Sequence, residues 1–113
     1  MKFCFRTDAS HIIGSGHVMR CLILAKSLQQ AGHDIIFVCR NYPHNMIEFI
    51  KKNNFNIKQL SFTENDAYLK QGFSNNYEKW LWVSMEKDAK ETSESISANN
   101  IDWMVVDLSL IHI

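Results

Sequence analysis

A chain of 113 residues, 46% hydrophobic and 21% charged, has the composition and size of one small globular domain. Twelve basic residues balance twelve acidic ones, so the formal net charge is zero and neither nucleic acid nor an anionic membrane surface is an expected partner. No apolar run approaches the roughly 20 residues of a membrane span, and the opening Met1-Lys2-Phe3 passes straight into a strand pattern without a leader-like stretch. Cys4, Cys21 and Cys39 are odd in number, lack Cys-x-x-Cys spacing and fall inside apolar elements. Buried, reduced thiols in a cytoplasmic protein are therefore expected.

In chain order, residues 2–6 form a short apolar run that predicts a buried strand. A loop with two closely spaced glycines, Gly14 and Gly16, follows. Val18, Cys21, Leu22, Ala25 and Leu28 then fall at helical spacing, which predicts a helix over 17–30. Gly32 stands where a left-handed residue would end it. Residues 34–39 are β-branched and aromatic with little alternation, as in a strand buried on both faces of a parallel sheet. Pro43 suits the first turn of a helix carrying Met46, Ile47, Phe49 and Ile50 and ending near Asn53-Asn54. Residues 55–60 alternate, which predicts a strand nearer an edge. The polar stretch 61–77 is expected to be a long loop, a binding segment or lid. Trp80, Leu81, Trp82 and Val83 lead into a helix capped by Ser84, with Met85, Ala89, Thr92 and Ile96 as its expected buried stripe. Residues 102–107 form a fourth strand ending in a carboxylate. The order β-α-β-α-β, loop, α-β predicts an α/β fold: a Rossmann-like, doubly wound parallel sheet with strand order 3-2-1-4. Strands 1 and 4 then lie side by side, and the crevice at their C-terminal ends is the topological switch point where such folds bind ligands. Asp8, His17 and Asp107 are expected to line it.

The loop between strand 1 and helix 1 carries the chemistry. Its glycines permit positive φ and close backbone approach to a ligand. A dinucleotide fingerprint would need a third small residue where Met19 stands and an acidic residue where Arg40 and Asn41 end strand 2. No Gly-Lys-Ser/Thr follows the second glycine, so a phosphate P-loop is also missing. No cofactor is expected, and no metal-ligand cluster is visible. His17, at the helix start, is the candidate general base, because the positive end of a helix dipole favours a neutral imidazole there. Asp8 is the carboxylate expected to fix its tautomer; the alternative is that His17 caps the helix and Asp8 makes an Asx-turn. Arg6, Gly14, Gly16, Arg20 and Asp107 are candidate ligand contacts. For Arg6 and Arg20 the alternative is pairing with carboxylates. For Asp107 the alternatives are orienting a catalytic group or capping a helix.

Arg6-x-Asp8-Ala9-Ser10, Ile13-Gly14-x-Gly16-His17-Val18-Met19-Arg20-Cys21 and Leu24-Ala25 together resemble one family, the UDP-2,4-diacetamido-2,4,6-trideoxy-β-L-altropyranose hydrolases of bacterial pseudaminic acid biosynthesis. The resemblance continues through Phe37-Val38-Cys39-Arg40, through Trp80-Leu81-x-Val83-Ser84-x-Glu86-x-Asp88-Ala89-x-Glu91-Thr92, and to Asp102-Trp103-x-Val105-Val106-Asp107. It implies the N-terminal domain of a two-domain, GT-B-like fold and a metal-independent release of UDP and free sugar. His17 matches the family's catalytic histidine, which activates the attacking water. The family continues after Asp107 with His-Tyr and a second domain that supplies most UDP contacts. Here residues 108–113 read Leu-Ser-Leu-Ile-His-Ile, so 1–107 is expected to be the N-terminal domain and 108–113 a foreign or truncated tail. Without the second domain the chain alone is expected to be inactive on its UDP-sugar. A glycosyltransferase of the same fold and a non-catalytic sugar-binding α/β domain are the alternatives.

Overall fold

The computed structural model describes residues 1–9, 14–42, 45–62 and 85–107. Among these residues the elements, in chain order, are β1 (Lys2–Thr7), α1 (Gly16–Gln30), β2 (Asp34–Arg40), α2 (Ile47–Lys52), β3 (Asn56–Leu60), α3 (Met85–Ile96) and β4 (Trp103–Asp107). The four strands form one sheet in the order β3-β2-β1-β4, every neighbouring pair parallel. That is the α/β class and the strand order expected from the hydrophobic pattern. Most of the 61–77 segment, the Trp80–Val83 cluster, Ser84, Pro43 and the 108–113 tail lie outside the described residues.

Side chains alternate across a strand, and the two faces of this sheet have different chemistry. On one face Phe5, Ile35, Phe37 and Cys39 pack with Val18, Cys21, Leu22 and Ala25 of α1 and Ile47 and Ile50 of α2. The Phe5 and Phe37 rings stack with centroids 5.2 Å apart, and Phe55 leans on Phe37 at 5.3 Å. On the other face Cys4, Ile36, Val38 and Leu60 form a smaller cluster, against which Ile96 and Ile101 pack. The turn after α1 is set by Gly32, at φ +95°. The His33 N–H donates to the Leu28 carbonyl and the Gly32 N–H to the Gln29 carbonyl, the paired bonds of a Schellman ending.

The buried stripe expected on α3 holds at Thr92 and Ile96 and is corrected at Ala89. Ala89 is exposed; Asp88 and Thr92 are buried, and Ile96 is half-buried. The reason lies in the sheet. Arg6 and Arg40 follow Cys4 and Val38 on this face, so α3 meets two guanidinium groups and turns its carboxylates toward them.

Candidate functional site

His17 is the second residue of α1, and Asp107 is the last of β4. Parallel pairing of Thr7 with Asp107 brings the end of β4 level with the end of β1. Val105 packs against the α1 side of the sheet, and Asp107, two residues on, points the same way. His17 Nδ1 lies 2.5 Å from Asp107 Oδ1. Their side chains are 15% and 22% exposed, so the pair is largely shielded yet open to solvent. One turn further along α1, Arg20 Nη2 donates to Asp107 Oδ1 at 3.2 Å and to Oδ2 at 3.0 Å, and also lies 2.7 Å from His17 Nδ1.

A carboxylate is an acceptor only, so an imidazole nitrogen at hydrogen-bond distance from it carries the proton. With its proton on Nδ1 the imidazole would donate to Asp107 and leave the lone pair on Nε2. An oriented imidazole of that kind can take a proton from water. Cys21 Sγ lies 3.9 Å from Asp107 Oδ2. Burial pushes its thiol up to about 11, and the Asp107 charge adds to the shift. Cys21 therefore stays a neutral thiol near pH 7 and is no nucleophile there.

Asp8 does not serve His17. Its Oδ1 accepts from Arg6 Nη1 at 2.7 Å and from the Arg40 backbone N–H at 2.7 Å, and no hydrogen bond joins it to the imidazole. Arg6 is likewise withdrawn from any ligand. It is 1% exposed and donates to Asp8, to Asp88 Oδ1 at 2.6 Å and to Thr92 Oγ1 at 3.2 Å. Arg40, fully buried, donates to Asp88 at 2.6 Å and to the Ser61 carbonyl at 2.7 Å, and pairs with Glu91 at 2.8 Å. The guanidinium of Arg6 is held above its ordinary pKa because the Asp8 and Asp88 charges outweigh the opposing cost of burial. In Arg40 the opposing burial is likewise outweighed, there by Asp88 and Glu91. The carboxylate pairing given as the alternative for Arg6 holds, but the rest of this cluster, Arg40 with Asp88, Glu91 and Thr92, escaped the sequence reading. The signal that exposes it is an arginine ending each of two apolar strands, together with Asp88, Glu91 and Thr92 on one side of a helix.

The glycines divide. Gly14, at φ +80°, takes a backbone conformation that side-chain-bearing residues rarely adopt. Gly16 has no positive φ, and a Cβ added there would meet nothing within 4 Å among the described residues. Among the described residues no group of three or more His, Cys, Asp or Glu is placed to hold a metal ion, and no helix is long and apolar enough to cross a membrane. Compared with known proteins, the chain matches no family model, no curated protein and no solved structure.

Proposed function

We propose that this chain carries the water-activating part of a sugar-nucleotide hydrolase, with His17 as general base and Asp107 as the carboxylate that orients it. The observation that carries the reading is the 2.5 Å contact of His17 Nδ1 with Asp107 Oδ1 at the C-terminal ends of neighbouring parallel strands. It is supported by the resemblance of the Ile13–Cys21 stretch to the UDP-2,4-diacetamido-2,4,6-trideoxy-sugar hydrolases. In this reading Nε2 takes a proton from water, the water oxygen bonds to the anomeric carbon, and the bond from that carbon to UDP breaks, releasing UDP and free sugar. The fold would be the N-terminal half of a GT-B-like enzyme working in the cytoplasm, and a second domain would hold the nucleotide. Remote binding energy orients the reacting centre, so the chain alone is expected to turn over negligibly.

The test is UDP release from the UDP-2,4-diacetamido sugar, without acceptor, by this chain and by the chain joined at Asp107 to a nucleotide-binding second domain. Release by the joined protein only is the expected result. His17→Asn should lower its rate by about 10²–10⁴-fold with the fold intact. Equal rates in the variant and its parent would remove His17 from the reaction. Release that begins only when an acceptor sugar is added would assign a glycosyltransferase instead.

A further inference from the structure

His17 Nδ1 has two neighbours that make opposite demands on it. Asp107 Oδ1, at 2.5 Å, can only accept, and Arg20 Nη2, at 2.7 Å, can only donate. An imidazole nitrogen offers one in-plane position, filled by either a proton or a lone pair. The Nδ1–H form satisfies Asp107, and Arg20 then turns its N–H groups to Asp107 Oδ1 and Oδ2, where both are within reach. The Nε2–H form would satisfy Arg20 but would set two lone pairs against each other at the short Asp107 contact.

We infer that Arg20 is a positioning residue of this centre: it clamps Asp107 against His17, and it takes Nδ1 for itself, reversing the imidazole tautomer, once the charge of the carboxylate is removed. The side chain is suited to both roles. It sits one helical turn from His17, where residues three apart face each other. It is 63% exposed, so the shift from carboxylate to imidazole meets little packing. Replacing Asp107 with asparagine presents an amide that can donate as well as accept. Arg20 and that amide then both offer N–H groups to Nδ1, Nε2 gains the proton, and the ring can no longer take one from water. The catalytic consequence rests on the hydrolase reading, but the tautomer itself is measured without turnover.

The experiment is two-bond 1H–15N correlation spectroscopy on the whole chain labelled with 15N-histidine, at a pH where the ring is neutral. The His17 signals are assigned by their loss in His17→Gln. The parent is expected to show protonated Nδ1 and bare Nε2. Asp107→Asn should reverse the pattern, changing the tautomer ratio about tenfold or more. Adding Arg20→Gln to that variant should move the ratio back toward the parent. In an otherwise unaltered chain, Arg20→Gln should weaken the downfield Nδ1 proton signal and Arg20→Lys should restore part of it, which tests the clamp even if Asp107→Asn does not fold. A parent ring protonated at Nε2, or a Nδ1 proton signal unchanged in Arg20→Gln, overturns the inference. So does an Asp107→Asn tautomer ratio that Arg20→Gln leaves unchanged. If the tautomers follow the expected course while the joined protein releases no UDP, the hydrolase reading fails and the positioning role stands.

Discussion

Three thiols lie in this core, and burial governs all of them. It pushes Cys4 and Cys21 from 9.0 up to about 11, and Cys39 upward as well. The Tyr42 hydroxyl, 1% exposed, is raised in the same way by burial. A thiol whose folded value exceeds its unfolded value favours the folded chain while it stays protonated in both states. That contribution is whole below pH 9 and is lost as pH rises through about 11. The melting temperature is therefore expected to fall between those limits, and Cys4→Ala should make the fall shallower; a parent curve flat across the window would refute this. At pH 8 the native chain should resist iodoacetamide, and the denatured chain should take up three groups. The same dependence on surroundings explains which site residues could be read in advance. The position of His17 at a helix start was legible because a helix beginning after a glycine loop is a local pattern. Strand order already put Asp107 in the same crevice, but Asp8 was preferred as the partner carboxylate because it is near in sequence, whereas Asp107 lies 90 positions away and is delivered by strand register. Arg6 drew attention by its charge, yet its place among buried carboxylates depends on which face of β1 it occupies.

At the scale of elements, apolar periodicity identified β1, β2 and α1 because their partners are themselves apolar. On α3 it placed Thr92 and Ile96 correctly but missed Asp88 and put Ala89 inside, because that rule assumes an apolar surface underneath. Asp88 instead accepts from both Arg6 and Arg40 at 2.6 Å, and Thr92 accepts from Arg6 at 3.2 Å. Removing one partner of a buried pair leaves uncompensated charge, which costs about 3–5 kcal/mol. Asp88→Ala, which takes one carboxylate away from two buried guanidinium groups at once, is expected to lower unfolding free energy by about that amount in urea titration. Ala89→Gln, one residue away on the exposed side, should stay within about 0.5 kcal/mol of the parent. Added salt should change the stability contributed by Asp88 little, since buried pairs are weakly screened. A small effect at Asp88 with a large one at Ala89 would mean that α3 docks through the apolar stripe after all.

For the molecule as a whole, strand order predicts where stability is concentrated. β1 is bonded on both sides, to β2 and β4, and β2 on both sides, to β1 and β3. Cys4, Phe5, Phe37 and Val38 on these two strands are essentially inaccessible, and the two helical layers close over them. β4 is different: Trp103 is 60% and Val106 57% exposed, so little apolar area is lost when the strand lifts away. Elements with few buried contacts open locally at lower free energy than the core. In native-state hydrogen exchange the amides of Phe5 and Val38 should therefore exchange only through global unfolding, with rates that rise with urea. Amides of β4 should exchange about tenfold or more faster, with little urea dependence. That difference reaches the candidate site, because Asp107 rides on the less protected strand while His17 stands on α1, whose buried face packs on the core. Strand release would separate the imidazole from its carboxylate without unfolding the domain. Equal protection in β1 and β4 would show instead that the His17–Asp107–Arg20 contacts tie β4 into the core as firmly as backbone pairing ties β1 to β2.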